Sequence, residues 1–478
     1  MNRHILHIIS LLYLSFAQEV LDGFILYTPF TGLDGSEVTT YLTDENLNTI
    51  NSWTHDYAPA SMGYLINDST LWYPSRVPQP TMSSGGVGGR IQHLDWNNNI
   101  LWDYTLSNDS FQHHHDIQPL PNGNILILAW ERKTLQEALS MGRELIESPL
   151  QQMWSESIFE IEPIGIDSAT IVWEWHLWNH LVQDIDTSLA NYGAIHEHPE
   201  LLDINLGEIG FGPSLDNADW VHFNSIHYNE ELDQIILSSR MMSEIYIIDH
   251  STTMEEAASH LGGNYGKGGD FLYRWGNPEN YIRGTSYPQI LSNQHSANWI
   301  QNGYPGEGNI ILFNNSHYGE YSAVIEISPP IDSHGNYIIT DNAPFEPSEW
   351  EWMYYNNHYF SSNVQSGAFR LENGNTFITD CQNGKMFETT SSGEIVFEYI
   401  PTLLNERINR AQKYPNYYLS SYILGDINSD DLINILDIIA IVDLIINEDS
   451  FNQIADSNYD QIIDILDIIN FINFILSN

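Results

Sequence analysis

The residues with the clearest chemical use lie between Asp219 and Arg240, in the sequence DWVHFNSIHYNEELDQIILSSR. His222 and Asn224 stand two residues apart in a strand-like run, and Arg240 ends a second run that follows a polar turn at residues 229–233. Two such runs around a turn predict a β-hairpin. Because side chains alternate along a strand, His222 and Asn224 are expected on one face, and Arg240 leaves the second strand near the same end.

These residue types suit a tetrahedral oxyanion such as sulfate or phosphate, because arginine supplies a planar fork of donors and a fixed charge. A single histidine or arginine in a strand is more often structural. However, Arg240 is one of 15 Lys and Arg residues in a chain with 63 Asp and Glu residues. A chain so poor in cations that places one at the end of an apolar strand is expected to use it for binding.

Three further polar blocks, at residues 113–116, 294–298 and 366–370, each precede a strand-like run. The first contains His114 and His115, and the second contains His295. Three histidines from separate strands also suit zinc, but Arg240 beside them would repel a cation. A serine hydrolase is disfavoured, because no Gly-x-Ser-x-Gly nucleophile elbow stands between a strand and a helix.

The elements that must position these residues are short strands. From residue 23 to about residue 399, pairs of apolar runs are joined by turns of Asn, Asp and Gly, and a Trp or Tyr often closes the unit. The unit recurs at intervals of roughly 50 to 70 residues, which indicates an all-β fold, a six-bladed β-propeller. A sandwich or a β-helix is the alternative. The propeller is favoured because radial closure protects the edges of many short sheets, and it would bring the polar blocks together at one end of a central channel.

Composition bears on the classes of partner and of fold. The formal net charge of −48 disfavours duplex nucleic acid and anionic membrane surfaces as partners, because binding them needs basic surface. A hydrophobic content of 42%, with 14 Trp and 27 Tyr, is enough for a large core and excludes a disordered acidic protein.

The first 17 residues read as a signal peptide, with a short basic start, an apolar run and small residues before Gln18. A buried N-terminal strand or helix is the alternative. No later stretch reaches 18 apolar residues, so no membrane span is expected. The expected location is periplasmic or extracellular, at the cell surface. Cys381 is the single cysteine, so no disulfide forms within the chain.

The C-terminal region has a different pattern. Oxygen-bearing side chains recur at the offsets of an EF-hand calcium loop, and each loop runs into an apolar helical stretch. The two sets of predicted Ca²⁺ ligands are Asp426, Asn428, Asp430, Asn434 and Asp437, then Asp456, Asn458, Asp460, Asp464 and Asp467. The pair resembles the duplicated calcium loop and helix of dockerin type I modules. This implies a cohesin-like or cell-surface protein as partner, although residues 435–436 and 465–466 are apolar where cohesin-binding dockerins usually carry polar residues.

Over residues 23 to 400 the chain resembles the arylsulfotransferase family of exported bacterial enzymes. The motifs that carry this resemblance are Asp219-Trp220-Val221-His222-Phe223-Asn224-Ser225, Ser238-Ser239-Arg240, Gln294-His295, and His114-His115-Asp116 with the Pro-Asn-Gly-Asn that follows. The resemblance implies a six-bladed propeller that transfers a sulfuryl group from a phenolic sulfate donor to a phenol acceptor. It implies no cofactor for catalysis and no nucleotide sulfate donor.

The resemblance also implies residue roles. His295 matches the histidine that takes the sulfuryl group covalently, and Arg240, His222 and Asn224 match the residues that hold the sulfate oxygens. His115 or His114 matches the histidine of the first block, and the triple histidine leaves that register open. Aromatic residues at the channel mouth are expected to stack on the phenol; the candidates are Trp220, Trp130 and Tyr318.

The predicted organisation has four parts: a signal peptide at residues 1–17, a propeller domain at 18–402, a linker at 403–424 and a calcium-binding module at 425–478. Two other functions stay open from the sequence alone. A sulfate-ester hydrolase on the same scaffold would use water as the acceptor. A non-catalytic propeller would bind a ligand or a partner protein at the cell surface.

Overall fold

The computed structural model describes residues 19–32, 37–146, 148–210, 216–284, 288–319, 321–356, 359–403, 405–419, 425, 427–428, 432–447, 455, 457 and 462–477. Within these residues the strands form six four-stranded antiparallel sheets, with two additional two-stranded pairings. The six sheets are the blades of a six-bladed β-propeller, which confirms the predicted all-β architecture. Blades are numbered here in chain order.

The first half of the ring contains blades 1, 2 and 3. Its strands are β1 (Gly23–Tyr27), β2 (Pro29–Phe30), β3 (Val38–Thr43), β4 (Thr49–His55), β5 (Tyr64–Leu65), β6 (Leu71–Arg76), β7 (Gly89–Leu94), β8 (Ile100–Thr105), β9 (Phe111–Pro119), β10 (Ile125–Thr134), β11 (Gln152–Ile164) and β12 (Ser168–His176). Blade 2 is β5 to β8 and blade 3 is β9 to β12. A short helix, α1 (Leu135–Ser140), lies between β10 and β11.

The second half contains blades 4, 5 and 6. Its strands are β13 (Leu181–Val182), β14 (Leu202–Asp203), β15 (Phe223–Asn229), β16 (Gln234–Ser239), β17 (Glu244–Asp249), β18 (Tyr273–Trp275), β19 (His295–Trp299), β20 (Ile310–His317), β21 (Tyr321–Ile327), β22 (Trp352–Tyr355), β23 (Gly367–Arg370), β24 (Thr376–Asp380), β25 (Lys385–Thr389), β26 (Ile395–Tyr399), β27 (Arg407–Ile408) and β28 (Gln412–Pro415). Blade 4 is β15 to β18, blade 5 is β19 to β22 and blade 6 is β23 to β26. The helix α2 (Met254–Ala257) lies between β17 and β18.

Burial explains why these sequences form these strands. Every residue of β16 and β17 is buried, because middle strands are covered on both faces by the adjacent blades. The outer strand β12 is mostly exposed over its first five residues, and its two buried residues are Trp173 and Trp175. Aromatic rings at such edges cover the gaps between blades. The hairpin predicted for residues 219–240 is present, because β15 pairs with β16 in antiparallel register.

The ring closes through a strand that lies in the segment predicted to be a linker. β28 pairs antiparallel with β1, with Gly23 opposite Pro415 and Leu26 opposite Gln412. A Cβ at Gly23 would lie 2.1 Å from the carbonyl oxygen of Tyr414, so only glycine allows this approach. Blade 1 therefore contains β28, β1, β3 and β4. The predicted boundary at residue 402 and the linker at 403–424 were wrong over this strand, because its polar sequence shows no strand periodicity and its partner lies at the other end of the domain.

The C-terminal region contains two helices, α3 (Ile435–Asn447) and α4 (Ile465–Ser477). They pack through a small cluster that includes Ile438, Ile441 and Phe471. The predicted helical stretch after each calcium loop is therefore present. Within the described residues, no helix combines the length and apolar character that a membrane span requires.

Candidate active site

The predicted site residues lie on neighbouring inner strands, and each of these strands is irregular at the same level of the channel. The register shifts between β9 and β10, between β15 and β16, and between β19 and β20. The residues inside these shifts are 114–116, 224 and 296–297. His115, His222 and Ser296 have positive φ angles of 50°, 57° and 57°. Bulges re-aim side chains, and left-handed backbone in non-glycine residues clusters at functional sites.

These irregularities bring three histidines from blades 3, 4 and 5 together. The ring centroids of His115 and His222 are 4.6 Å apart, and those of His115 and His295 are 6.5 Å apart. All three side chains are almost completely buried. Asn224 bridges two of these blades, because its Nδ2 donates to the Gln294 carbonyl at 2.7 Å. Three of the predicted polar blocks, at residues 113–116, 222–240 and 294–298, therefore meet.

His295 is held in one tautomer. Its Nδ1 lies 2.9 Å from the Asn293 carbonyl and 2.8 Å from Asn315 Oδ1. The Asn315 amide nitrogen donates to the carbonyls of Ser362 and Gln365, which turns its oxygen toward the histidine. Nδ1 therefore carries the proton and Nε2 carries a lone pair. Burial, and then the positive charge of Arg240, lowers the pKa of His295 to about 3.

His222 and Arg240 lie side by side in the cluster. His222 Nδ1 lies 2.6 Å from Asp219 Oδ2, so an Nδ1–H donates to a fully buried carboxylate. The backbone N–H of Arg240 donates to the His222 carbonyl at 3.1 Å, which fixes the arginine beside the histidine. Burial lowers the pKa of Arg240 and the charge of Asp219 raises it. Arg240 lies close enough to His295 for its charge to lower the pKa of that imidazole.

The structure shows which histidine of residues 113–115 faces the other two histidines of the cluster. His115 faces His222 and His295, whereas His114 lies behind it, stacked on Trp130 with ring centroids 4.3 Å apart. His113 Nδ1 accepts the Gly89 N–H at 2.8 Å, outside the cluster. His115 is therefore the member of the block that lies in the channel.

A buried chain of hydrogen bonds runs from His115 to a carboxyl group. His115 Nδ1 and His114 Nδ1 are 2.9 Å apart, and His114 Nε2 lies 2.9 Å from Glu156 Oε2. Glu156 Oε1 accepts the Phe223 N–H at 2.8 Å. Burial, and then the charge of Asp219, raises the pKa of Glu156 well above its usual value. Burial lowers the pKa of His114 to about 3 and that of His115 well below its usual value. This favours a protonated Glu156 linked to two neutral imidazoles.

The prediction that Trp130 and Trp220 stack on the phenol at the channel mouth was wrong. Trp130 and Trp220 are fully buried. Trp130 stacks on His114, and the Trp220 indole N–H donates to the Leu206 carbonyl at 2.7 Å. Neither ring is exposed to the channel solvent. Both fill space between blades, as aromatic residues beside a propeller site often do. Tyr318 follows β20 at the histidine end of the channel and is 72% exposed, so its role as a phenol contact stays a prediction.

Sequence reasoning missed several residues of the site. Gly86 lies against the ring of His115, where a Cβ would come within 2.1 Å of Nε2. The signal for it was the glycine-rich run at residues 83–89. Glu156 and Asn315 carried only a weak signal, a polar residue within a strand. Arg410 gave none, because it lay in the predicted linker.

Arg410 forms the floor of the histidine cluster. It donates to Asp116 Oδ1 at 2.6 Å and to Tyr64 Oη at 2.7 Å, and its Nη1 lies 3.4 Å from Ser296 Oγ. Asp116 is next to His115 and Ser296 is next to His295, so one guanidinium buttresses both histidines. Beyond this floor a cavity of about 430 Å³ opens at the other end of the channel, lined in part by His227 and Trp299. That cavity is separate from the histidine cluster.

Five of the predicted calcium ligands lie outside the described residues: Asp426, Asp430, Asp456, Asn458 and Asp460. Among the described ones, Asp437 and Asp467 are fully buried at the start of α3 and α4. Asp437 accepts the N–H groups of Ile427 and Asn434 at 2.8 Å each. In the second copy, Asp467 accepts those of Ser457 at 2.8 Å and Asp464 at 2.9 Å. Each loop thus folds back on its last carboxylate, whose oxygens keep lone pairs for a cation.

Comparison with known families and structures gives one strong match. The family model described as arylsulfotransferase (ASST) matches residues 76–396. No curated protein matches the chain.

Solved structures with similar backbones share little sequence with it. A protein of unknown function from Bacteroides caccae is 10% identical, with 82% of this chain and 98% of that chain covered and a TM-score of 0.44. The Cps50 (Swd1) β-propeller domain from Myceliophteria thermophila is 9% identical, with 79% and 89% covered and a TM-score of 0.38. A catalytically inactive virginiamycin B lyase from Staphylococcus aureus, with quinupristin, is 12% identical, with 80% and 86% covered and a TM-score of 0.35. Nothing about the function of this chain follows from likenesses at this level.

Proposed function

The chain belongs to the arylsulfotransferase family and is a sulfotransferase enzyme, and we propose that it transfers the sulfuryl group through a covalent intermediate on His295. The family implies an aryl sulfate donor and a phenol acceptor. The observation that carries the proposal is the fixed tautomer of His295, whose Nδ1 is bonded to Asn293 and Asn315 and whose Nε2 keeps a lone pair.

In the first half-reaction, His295 Nε2 attacks the sulfur of the aryl sulfate. An N–S bond forms, the S–O bond to the aryl group breaks, and the electron pair leaves on the phenol oxygen. The lowered pKa of His295 keeps the imidazole neutral at pH 7, which is the nucleophilic form. After transfer the ring is positively charged, and the Nδ1 proton stays hydrogen-bonded to Asn315.

Arg240 and His222 stabilise the charge on the equatorial sulfate oxygens. Sulfuryl transfer resembles phosphoryl transfer, in which positioning and charge stabilisation supply most of the catalysis. Arg240 offers fixed N–H donors, and His222 Nε2, whose ring is oriented by the contact of Nδ1 with Asp219, lies against a sulfate oxygen. By analogy with oxyanion holes, each such contact lowers the activation barrier by about 2 to 4 kcal/mol. Asn224 aligns the strand of His222 with the residue before His295.

The leaving phenolate receives its proton along the chain from Glu156. The proton on His115 Nε2 moves to the phenolate oxygen, His114 Nδ1–H moves to His115 Nδ1, and the Glu156 carboxyl proton moves to His114 Nε2. The distances of 2.9 Å at both links allow these transfers. The net result is a neutral phenol and a Glu156 carboxylate, and His114 and His115 both stay neutral.

In the second half-reaction a phenol acceptor enters beside Tyr318, which is exposed at the mouth. Its oxygen attacks the sulfur, the S–N bond breaks, and its proton returns along the same chain to Glu156. Water in place of the phenol would make the enzyme a sulfate-ester hydrolase, so the acceptor decides between the two activities.

The test uses protein lacking residues 1–17 and a chromogenic aryl sulfate, with and without a second phenol. We expect phenol release that rises with the acceptor and yields a sulfated acceptor. Radiolabelled sulfate is expected to stay on the protein when the donor is given alone and to leave when a phenol is added. His295→Ala is expected to lose both signals, whereas His198→Ala, an exposed histidine bonded to Glu200, keeps them. Release that is independent of the acceptor would establish the hydrolase, and label retained by His295→Ala would exclude His295 as the nucleophile.

We also propose that the C-terminal module binds two Ca²⁺ ions through the two predicted sets of oxygen ligands. The observation that supports this is the repeated geometry of Asp437 and Asp467, each buried and each closing its loop. Calcium would neutralise the acidic loops and hold them against α3 and α4. Calorimetric titration of the chelated protein is expected to show two sites, and the paired change Asp437→Asn and Asp467→Asn is expected to remove both. Unchanged binding in that variant would contradict the assignment.

Export and a protein partner complete the proposal. Residues 1–17 direct the chain out of the cytoplasm, and fractionation of a host that expresses the full chain tests this. The partner is a cohesin-like or cell-surface protein that docks on the exposed apolar side chains of α3 and α4, such as Ile439 and Ile469. Calcium-dependent capture of a purified cohesin, lost in Ile439→Asp with Ile469→Asp, tests the partner.

A further inference from the structure

A second cluster of ionisable side chains lies on the outer rim of the propeller, away from the histidines of the channel. Its members are His180, His260 and Asp270, whose possible ligand atoms all lie within 4.8 Å of one another. His180 follows blade 3, and His260 and Asp270 come from the loop between β17 and β18 of blade 4. We propose that this cluster is a zinc site that ties blade 3 to blade 4.

The contacts of the cluster converge on one point. His180 Nδ1 lies 2.7 Å from Asp270 Oδ1, and His260 Nδ1 lies 2.8 Å from the same oxygen. Tetrahedral zinc has bonds of about 2.0 to 2.1 Å to histidine nitrogen and carboxylate oxygen, so its ligand atoms are about 3.3 Å apart. The two nitrogen–oxygen contacts therefore need to lengthen by about 0.5 Å, and the two histidine nitrogens, which lie within 4.8 Å of each other, need to approach by at most about 1.5 Å. Two imidazoles and a carboxylate leave a fourth position for water.

The second nitrogen of His180 has the partner that zinc ligands usually have. His180 Nε2 lies 2.9 Å from the Ala257 carbonyl. Metal-binding histidines commonly donate their other N–H to a backbone carbonyl or carboxylate, which fixes the tautomer. The other nitrogen, Nδ1, faces Asp270 Oδ1 at 2.7 Å. A divalent ion placed there would contact both atoms.

The surrounding chain is shaped to hold His180 in this place. Its ring is fully buried and lies parallel to that of Trp175, at an interplanar angle of 1°. A Cβ at Gly269 would lie 2.1 Å from the Ala257 carbonyl and 2.6 Å from His180 Nε2, so glycine alone allows the approach. His260, by contrast, is 59% exposed, which gives a metal ion access from solvent.

Zinc is favoured over calcium because imidazole nitrogen is a ligand for zinc, copper and nickel, whereas calcium takes oxygen. The expected role is structural. His180 is 80 residues from His260 and 90 from Asp270 in sequence, so the ion would restrain the long segment after blade 3 against the glycine-rich loop of blade 4.

The test uses the mature chain, stripped with a chelator and then saturated with Ca²⁺ so that the C-terminal loops do not compete. Zinc is then titrated by calorimetry into wild type, His260→Ala, His198→Ala and His295→Ala. His260 is exposed, so its removal leaves the fold intact, which circular dichroism and sulfotransferase activity check. His198 is the matched control, a partly exposed histidine with a carboxylate partner that belongs to no metal-like group among the described residues. His295→Ala identifies any zinc bound in the channel.

We expect one tight zinc equivalent that weakens at least tenfold in His260→Ala and is unchanged in the other two variants, since loss of even an outer partner of a metal ligand costs that much. X-ray absorption of the one-to-one complex is expected to show nitrogen or oxygen ligands at about 2.0 Å with imidazole scattering. Zinc is also expected to raise the melting temperature of wild type but not of His260→Ala. Three results would each overturn the proposal: wild type takes up no zinc, His260→Ala binds zinc as tightly as wild type, or the bound zinc is lost only in His295→Ala. The cluster would then be a histidine–carboxylate ion pair without metal.

Discussion

The proton chain behind His115 predicts that Glu156 sets which phenols can leave. The perturbation is Glu156→Gln. The glutamine amide oxygen still accepts the Phe223 N–H, and its NH₂ group still donates to His114 Nε2, so the orientation of the chain is kept. What is lost is the proton itself, because an amide does not release one at neutral pH. The substitution therefore separates proton donation from positioning.

The magnitude follows from the role of a general acid, which contributes about 10² to 10⁴-fold to a rate. That loss applies only where the leaving phenolate needs protonation. Phenyl sulfate, whose phenol has a pKa near 10 as tyrosine does, is expected to react about 10² to 10⁴-fold more slowly with Glu156→Gln. 4-Nitrophenyl sulfate, whose phenolate is a better leaving group, is expected to lose less than about tenfold.

Glu156→Ala has a different expected outcome. It leaves the Phe223 N–H and His114 Nε2 buried without partners, at about 1 to 3 kcal/mol for each group. The free energy of unfolding is therefore expected to fall by roughly 2 to 6 kcal/mol, and the rate with both sulfates is expected to fall together. Chemical denaturation measures the first effect and kcat/KM measures the second.

The assay compares kcat/KM for a series of aryl sulfates of increasing phenol pKa, at saturating acceptor, in wild type and Glu156→Gln. The slope against leaving-group pKa is expected to steepen in the variant. Glu131→Gln is the matched control, a mostly buried carboxylate in the same blade that pairs with Lys133 and His176 outside the chain. An equal loss with every donor, or no change in slope, would refute the proton chain.

Three other predictions follow from the charges of the described residues. Because burial and Arg240 lower the pKa of His295 to about 3, single-turnover labelling of the enzyme is expected to stay constant from pH 8 to about pH 5; a fall centred near 6.5 would contradict a neutral buried nucleophile. Burial opposes a charge on His250, but hydrogen bonds to Asp233 and Glu160 raise its pKa to about 9. The charged His250 therefore adds about 3 kcal/mol to the free energy of unfolding below pH 6.5, and this contribution is lost as pH rises through 9. The stability difference between wild type and His250→Gln, measured by chemical denaturation, should shrink over that pH range. Arg410→Met is expected to lower the free energy of unfolding by about 3 to 5 kcal/mol because it leaves a buried carboxylate unpaired; a loss below 1 kcal/mol would exclude the floor role.

Much of the fold was predictable because its determinants are local. Apolar runs of five to ten residues joined by Asn, Asp and Gly turns indicate strands and hairpins wherever they occur, and their repetition indicates blades. The hairpin of residues 219–240 depended on alternation and on one polar turn, and the structure contains it. The residue types of the site were also visible, since one arginine among so few cations stands out at any position.

The orientation of the site residues could not be read in the same way. Alternation predicts which face a side chain takes only while the register is regular, and each of the three inner strands has a bulge where the site residues stand. A bulge changes which face of the sheet the side chains after it point to. For this reason His114 and His115 could not be distinguished by sequence, and the aromatic rings of Trp130 and Trp220 proved to be packed between blades.

By itself, then, the sequence determined the strand repeat, the propeller class and the residue types that suit a sulfuryl group, because these depend on neighbours within a few positions along the chain. Tertiary contacts set which histidine enters the channel, that Glu156 stands behind it, that Arg410 lies under the histidine cluster, and that β28 closes the ring against β1. These features depend on contacts between segments tens to hundreds of residues apart. Such contacts are set by how six blades pack around one axis, and no local pattern records them.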